Sequence, residues 1–301
     1  MKNLIVNGTR TAREIIIEDL IRKEEEAIRN KNNPVVTPPV NSPVFTPTSS
    51  GINNPKSYLI LPGKQHGDYS YPDLLVQTTR LGYDPEVENI AKKLNLTLSD
   101  TGTENNGSGF IGNINWSTAL KLNLSLDSFT LNPRQYLDFL ALLKFGNAFY
   151  ADGKKADKDV LDNILDEIIT KRNPYRAEWL DADFKVIKGK GLFGSKSLFI
   201  NYNHKLVGND LAPEKSELLE ECLMEDKTPG IDLDNLLINS TKQGLPKKNI
   251  SSGSLYYWYP RSDNNSVAMF NADSDRTWLY CDGYPSSSDG GLGVRRAKIF
   301  P

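Results

Sequence analysis

The chain has little of the residue types that most often build metal and redox sites. Its 301 residues include two cysteines, Cys222 and Cys281, and two histidines, His66 and His204, all far apart in the sequence. Disulfide scaffolds are much denser in cysteine, so we expect two buried free thiols. Neither histidine has a cysteine or carboxylate at the spacing of a zinc site, which argues against bound metal.

An excess of positive charge and long apolar runs are also missing. The chain has 36 Lys and Arg against 38 Asp and Glu, and its basic residues are scattered. Nucleic acid is therefore not an expected partner. No apolar run approaches the roughly 18 to 20 residues that span a bilayer, and the first residues lack the apolar core of a secretory signal. We expect a protein without a membrane span, either cytoplasmic or exported by a non-classical route.

Motifs of catalysis and cofactor binding are absent as well. No serine lies in a nucleophile elbow, and no glycine-rich loop leads from a strand into a helix. Carboxylates remain as candidates for acid–base chemistry, among them Glu178, Asp181 with Asp183, and Asp273 with Asp275. Such pairs are more often solvated turns or strand edges. The sequence thus predicts neither an enzyme nor a cofactor, and a carboxylate-using hydrolase stays as an alternative.

The first 57 residues predict two segments that precede the folded body. Thr11–Glu14 fits a capping box, and Ile17, Leu20, Ile21 and Ile28 follow at helical spacing, which predicts an amphipathic helix within residues 1–30. This helix either packs on the body or serves as an oligomerisation or attachment element. Residues 31–57 are rich in Pro, Thr and Ser and predict a semi-extended linker.

Residues 58–301 predict a single body of the α+β class, with helices around short antiparallel strands. A strand is expected at Tyr58–Leu61, and a β-hairpin within residues 188–204. Asp100–Gly109 is expected to be a flexible tip, and Pro174–Phe184 a connector. Capping signals and apolar spacing predict helices at Pro85–Leu96, Asn132–Gly146, Asp157–Thr170, Pro213–Glu225 and Ile231–Asn239.

The C-terminal stretch interleaves two kinds of sequence. Apolar blocks that are typical of strands lie at Val267–Phe270, Trp278–Leu279 and Leu292–Val294. Between them are runs drawn almost wholly from Tyr, Asn, Asp, Ser and Arg. Tyrosine provides a large contact area with few torsions to order, and the small polar residues provide adaptable hydrogen bonds, as in antibody loops. The stretch therefore predicts a binding surface held by strands.

Three features carry a resemblance to a known family: Trp258 before a polar run, the apolar strand Val267–Phe270, and the terminal segment Gly293–Ala297. Together they resemble the variable proteins of diversity-generating retroelements. The resemblance implies a C-type lectin fold of the formylglycine-generating-enzyme subtype, with a variable region at about residues 255–297. In such families a reverse transcriptase rewrites template adenines, which leaves this mixture of Asn, Tyr, Asp and Ser. The implied function is non-enzymatic ligand binding, in the manner of a receptor or adhesin.

The family pattern also implies which residues vary and which hold the frame. The frame would consist of Trp258, Val267, Ala268, Phe270, Trp278, Leu292, Val294 and Arg295. The ligand-binding or variable positions would be Tyr257, Tyr259, Asp263, Asn264, Asn265, Asn271, Asp273, Asp275, Arg276, Tyr280, Asp282, Tyr284 and Ser288. The alternative for this polar set is an ordinary solvated loop region.

The implied ligand is a protein or another macromolecule. No Glu-Pro-Asn, Gln-Pro-Asp or Trp-Asn-Asp triplet supports calcium-mediated sugar binding. The two cysteines lack the paired arrangement used by enzymes of this fold, which favours a binder. Two alternatives remain: an enzyme of the formylglycine-generating-enzyme-like fold or a hydrolase using Glu178, Asp181 or Asp275, and a structural component of a cell or virion surface.

Overall fold

The computed structural model describes residues 54–96, 99–104, 108–188, 196–219 and 221–301. The predicted N-terminal helix and residues 31–53 of the predicted linker lie outside the described residues. A 3-10 turn, Pro55–Ser57, precedes the first strand.

Local capping signals account for most of the helices. Asp84 caps the first by accepting a hydrogen bond from the Val87 amide at 2.9 Å, and Asn132 forms a capping box with Gln135. These contacts satisfy amides that the first helical turn leaves unpaired. The helices are α1 (Pro85–Lys93), α2 (Trp116–Ser125), α3 (Pro133–Phe145), α4 (Lys158–Ile169) and α5 (Leu233–Asn239).

Most strands are short and lie in two main sheets. The first eight are β1 (Tyr58–Leu61), β2 (Lys64–His66), β3 (Tyr69–Tyr71), β4 (Leu74–Gln77), β5 (Ser99–Glu104), β6 (Ser108–Gly112), β7 (Phe149–Tyr150) and β8 (Arg176–Lys188). The others are β9 (Lys196–Val207), β10 (Asp210–Leu218), β11 (Lys227–Ile231), β12 (Leu255–Trp258), β13 (Ser266–Ala272), β14 (Thr277–Gly283), β15 (Leu292–Gly293) and β16 (Ala297–Ile299).

The smaller main sheet joins the two ends of the described body. Its strand order is β16-β4-β1-β7, so the last strand pairs with β4, which in turn pairs with the first strand. The larger sheet has the order β10-β9-β8-β13-β14-β12-β11, with β15 beside β8. Its pairings are antiparallel except for β12 with β14 and β15 with β8. The predicted α+β class is therefore confirmed.

The larger sheet is covered on both faces in its middle. On one face, Ala268, Phe270 and Leu279 pack in the main core, which also contains residues of α3 and α4. On the other face, Trp179 and Val267 pack in a second core with residues of α1 and α2. Alternating side chains of one strand thus reach two different cores, as the period of a β-strand requires.

Three predicted segments differ from the structure. Pro213–Glu225, predicted to be a helix, begins within the strand β10, which ends at Leu218, because pairing with β9 satisfies the backbone there. Pro174–Phe184, predicted to be a connector, contributes most of β8. Asp100–Gly109, predicted to be a tip, contributes to the paired strands β5 and β6. The strand at Tyr58–Leu61 is confirmed. The hairpin predicted within residues 188–204 is confirmed only in its second strand, β9, because its partner β8 ends at Lys188.

The segment Gly293–Arg295 is packed tightly into the body. A Cβ atom at Gly293 would lie 3.0 Å from the carbonyl oxygen of Ile111, so a larger residue would require a shift of the neighbouring chain. The Val294 side chain is fully buried, and the Arg295 guanidinium donates to the Gln77 carbonyl at 2.8 Å. These contacts fix the end of the C-terminal polar and aromatic stretch to the rest of the body. Among the helices described, none is long and apolar enough to cross a bilayer.

Candidate functional site

Four aromatic side chains project from two adjacent strands on the same face of the larger sheet. In β12, Leu255 and Tyr257 point into the main core, so Tyr256 and Trp258 point to the opposite side. In β14, Trp278 and Tyr280 point to that side as well. The parallel register places Tyr256 opposite Trp278 and Trp258 opposite Tyr280. We call Tyr256, Trp258, Trp278 and Tyr280 the aromatic face.

The rings of the aromatic face contact one another across the strands. The ring centroids of Trp258 and Tyr280 are 5.9 Å apart with planes 13° from parallel, and those of Trp258 and Trp278 are 5.7 Å apart. Tyr256 meets Trp278 edge-on at 5.1 Å. Such pairs restrict the side-chain torsions, so the face is ordered before any partner arrives.

The aromatic face belongs to neither of the two cores that cover the rest of the sheet. Met269, one strand away on β13, is the partly buried residue at the border, since it still packs against the second core. Tyr256, Trp258 and Tyr280 are half-buried, whereas Trp278 in the centre is 9% exposed. An apolar surface left uncovered beside a well-packed core is typical of an interaction site.

Arg276 covers one end of the aromatic face. Its guanidinium carbon lies 4.6 Å from the Tyr256 ring centroid and 4.9 Å from that of Trp278, which is a cation–π arrangement. Asp273 orients the same end, because its carboxylate accepts a hydrogen bond from Trp278 Nε1 at 2.7 Å and from the Arg276 amide at 2.9 Å. One carboxylate thus orders both the indole and the loop that carries the arginine.

A second arginine organises the loops at the other end of β14. The Arg261 guanidinium carbon lies 3.9 Å from the Tyr284 ring centroid, and the group also donates to the carbonyl oxygens of Asn265 and Asp282. Asp263 accepts from Arg261 Nε at 2.9 Å. Tyr284 remains 55% exposed, so this loop presents a tyrosine held in place by a cation.

Polar atoms on this side of the sheet lack hydrogen-bond partners. Trp258 Nε1, Asn271 Oδ1 and Asp282 Oδ1 are buried and have no partner within the described part of the chain. A buried polar atom without a partner costs about 1–3 kcal/mol. A bound molecule that supplied the missing partners would recover part of that free energy.

The sequence-predicted site residues divide into three groups by their placement. Asp263, Asn264, Asn265, Asp275, Tyr284 and Ser288 are exposed on loops. Partly exposed positions are Tyr259, Asp273, Arg276, Tyr280 and Asp282, and buried positions are Tyr257 and Asn271. The loop between β13 and β14 brings Asp273 and Arg276 to the aromatic face, whereas Tyr259 packs against the main core.

The prediction for Tyr257 is corrected by its burial. Its side chain is 0% exposed in the main core, and its hydroxyl donates to the Leu223 carbonyl at 3.2 Å. No ligand can reach it in the folded protein. Asn271 is 9% exposed and faces the outer side of β13, so at most a small part of it can contact a ligand.

Two tryptophans that the family resemblance assigned to the frame also contribute to the aromatic face. Trp278 is nearly buried, as a frame residue would be, whereas Trp258 is half-buried, and Tyr256 was not among the predicted positions. The alternation of β12 contains the missing signal. Because Leu255 is apolar and is expected to point into the core, Tyr257, two residues later, points into the core as well. Tyr256 and Trp258 must then lie on the opposite side of the strand.

The three carboxylates of the enzyme alternative lie in different environments. Glu178 is 0% exposed and bound by Arg176 and Arg295, while Asp275 is exposed beside Arg276. Asp181 accepts hydrogen bonds from the His204 backbone amide at 2.9 Å and from His204 Nδ1 at 2.5 Å. Glu178 and Asp181 are thus bound by neighbouring protein groups, and Asp275 is exposed to solvent. The three carboxylates do not come together in one site.

His204 is expected to make stability depend on pH. Burial by itself would lower the pKa of His204, but hydrogen bonds and charges of Asp181 and Asp183 outweigh it and raise the pKa to about 9. Because this folded-state pKa exceeds the ordinary 6.5, the stabilisation is complete below pH 6.5 and is lost as pH rises through 9. The gap corresponds to roughly 3 kcal/mol.

Urea unfolding between pH 6 and pH 10 measures this effect. The control is His204→Gln, which should be less stable than the parent at pH 6 and lose much less stability at higher pH. A parent protein whose unfolding free energy stays constant to pH 10 would contradict the charged form of His204.

Within the described residues, no group of three or more His, Cys, Asp or Glu is arranged to hold a metal ion. Cys222 and Cys281 are both buried and free, as the sequence predicts.

Comparisons of the chain with models of protein families, with curated proteins and with solved structures found no match.

Proposed function

We propose that this protein is a non-enzymatic binding module that binds a protein or other macromolecule through the aromatic face. The supporting observation is that Tyr256, Trp258, Trp278 and Tyr280 lie together on a sheet face that neither core covers. Tryptophan, tyrosine and arginine dominate the binding free energy of protein interfaces. Here the tryptophans and tyrosines lie side by side on two paired strands, and Arg276 on the adjoining loop covers one end of them.

On this proposal the scaffold has a C-type-lectin-like role: it holds the display stretch at both ends. The last strand, Ala297–Ile299, pairs with β4 beside the first strand of the body, and Arg295 is buried. The loops at Arg261–Asn265 and Asp273–Arg276 lie outside both cores, so changes there would alter the contacts that order the face and leave the cores intact. This division suits a retroelement that rewrites loop codons and leaves apolar strand residues unchanged.

The binding proposal is tested by selecting a phage-displayed random peptide library on the full chain. Peptides should converge on the aromatic face, so replacement of Trp258 or Tyr280 by alanine should weaken their binding about 30-fold, the equivalent of about 2 kcal/mol. A matched control is Tyr83→Ala, because Tyr83 is 39% exposed and precedes the cap of α1. Equal binding to the parent and to both face variants would contradict the proposal.

The diversification proposal has a separate test in the gene. The 3′ end of the gene should recur nearby as a near-copy that differs at adenines, next to a reverse transcriptase gene. Absence of such a repeat from a complete genome would contradict diversification by a retroelement. The proposed binding function would be unaffected, because the peptide selection tests it separately.

A further inference from the structure

The border of the aromatic face carries more acidic than basic side chains. They lie on the ends of β11, β12 and β14 and on the loops beside them. The acidic members are Glu225, Asp226, Asp263, Asp273, Asp275 and Asp282, and the basic members are Lys227, Arg261 and Arg276. The face therefore has a net negative border, which determines the charge of partner that it attracts.

Each basic group of this border already has an acidic partner in the chain. Lys227 pairs with Glu225 at 2.5 Å, Arg261 with Asp263 at 2.9 Å, and Arg276 with Asp275 at 3.3 Å. These pairs neutralise three of the acidic side chains. They leave Asp226, Asp273 and Asp282 to be accounted for.

Of the remaining carboxylates, Asp273 is satisfied by neutral donors. Trp278 Nε1 and the amides of Asp275 and Arg276 all donate to it. Asp226 accepts one hydrogen bond, from the Tyr259 amide at 3.1 Å. Neither Asp226 nor Asp282 makes an ion pair with any residue in the part of the chain that the structure describes.

Asp282 is the more strongly perturbed of these two carboxylates. Its Oδ1 is buried without a hydrogen-bond donor among the described residues. Burial raises the pKa of Asp282 to about 6, against the opposing charge of Arg261, and the negative charges of Asp226 and Asp263 add to the rise. A cation placed beside Asp282 would add to the effect of Arg261 and would offset the cost of burial and the repulsion from Asp226 and Asp263.

The strand register brings this carboxylate to the aromatic face. Trp258 lies opposite Tyr280, and Asp282 follows Tyr280 by two residues, where a β-bulge interrupts the pairing of β14 with β13. Burial and then the nearby charge of Asp282 raise the pKa of Tyr280, so this carboxylate lies close to the aromatic face. Asp226 precedes β11, which pairs with β12. Aromatic rings and carboxylates without an ion pair among the described residues therefore meet at one end of the face. Rings attract cations through their negative faces, and the carboxylates attract them by charge.

We propose that the aromatic face binds a basic segment of a protein, with a lysine or arginine side chain ion-paired to Asp226 and Asp282 beside the Trp258 and Tyr280 rings. This inference rests on the proposed binding function and adds the charge of the partner to it. A neutral or acidic segment would leave Asp282 without a counter-ion after water is excluded, which is unfavourable for a buried charge.

The peptide library selected on the full chain provides the test, because its sequences report the preferred charge. Enriched peptides should contain more Lys and Arg than the starting library. Binding of a synthesised enriched peptide should weaken at least about tenfold on the double substitution Asp226→Asn and Asp282→Asn, and similarly when its basic residue becomes Gln. Binding should also weaken as salt rises.

The matched control removes the same charge from the far edge of the sheet. Asp210 and Glu214 are exposed on β10, at the opposite edge from β11, so Asp210→Asn with Glu214→Gln should leave affinity within about twofold. Circular dichroism melting shows whether each variant folds. If the Asp226 and Asp282 double variant is unstable, Asp226→Asn alone should still weaken binding.

The outcomes separate this inference from the function on which it rests. Neutral or acidic peptides that bind the parent but not Trp258→Ala would overturn the basic partner and keep the binding face. Peptides whose affinity changes neither on Trp258→Ala nor on the double substitution of Asp226 and Asp282 would overturn both proposals. Equal weakening by the far-edge control would show a general charge effect and would likewise overturn the basic-partner site.

Discussion

Replacement of Glu178 by alanine is expected to lower the free energy of unfolding by about 3–5 kcal/mol, because it leaves buried arginines without their counter-ion. Glu178 is 0% exposed and accepts from Arg295 Nη2 at 2.6 Å and Arg295 Nε at 3.1 Å, and it also pairs with Arg176. Both arginines are buried too, so neither can exchange the lost partner for water without opening the core.

The charges of this cluster are strongly coupled. Burial would raise the pKa of Glu178, but the guanidinium groups of Arg176 and Arg295 hold it below its usual range. Glu167, at the edge of the cluster, binds Arg176 through both oxygens at 2.8 and 2.9 Å. Removal of Glu178 therefore leaves Glu167 as the nearest remaining counter-ion of two buried cations.

Chemical denaturation at pH 7 measures the predicted loss. The matched control is Glu88→Ala, which breaks the exposed pair with Lys92 at 2.8 Å on α1 and should cost less than about 0.5 kcal/mol. A Glu178→Ala protein as stable as the control variant would contradict the counter-ion role. The cluster joins β8 to the segment after β15, so its loss should also loosen the attachment of residues 293–297.

Tyr257→Ala is expected to destabilise the fold by about 3–5 kcal/mol, whereas Tyr280→Ala should cost about 1 kcal/mol or less. The two tyrosines lie on adjacent strands and point to opposite sides of the sheet. Tyr257 fills the main core, so its truncation leaves a cavity and removes the donor to the Leu223 carbonyl. Tyr280 loses only ring contacts on a partly solvated face.

Thermal and urea unfolding of both variants measure the contrast, and Tyr257→Phe separates its two causes. That substitution keeps the ring volume and removes the hydroxyl, so it should cost about 1 kcal/mol. Similar losses for Tyr257→Ala and Tyr280→Ala would show that the two side chains do not differ in burial. In that case the assignment of Tyr280 to a binding face would lose its structural basis.

The helices that the sequence predicted correctly carry their signals within a few residues. Asp84 before Pro85, and Asn132 before Pro133 with Gln135 three residues later, are local capping patterns that need no distant partner. The apolar spacing of Leu161, Ile164, Leu165 and Ile168 likewise defines one face of α4. Such features depend on neighbouring residues alone, and the structure retains them.

Strands were harder to predict because their partners are remote in the sequence. The segment Asp210–Leu218 contains good helix formers, yet it is a strand because β9 satisfies its backbone along its length. Arg176–Lys188 combines core residues on both sides with buried charges, so no clean alternation identifies it. Pairing energy, which depends on residues far along the chain, decided both segments.

The sequence by itself determined the α+β class, four of the five described helices and the presence of a polar, aromatic stretch at the C-terminal end. It did not determine which residues of that stretch face outward. A shift of one residue in a strand moves every side chain to the other side, so burial of Leu255 and Tyr257 in the core left Tyr256 and Trp258 outside. Tertiary packing decided which residues form the aromatic face, because only the assembled cores determine which side of the sheet remains uncovered.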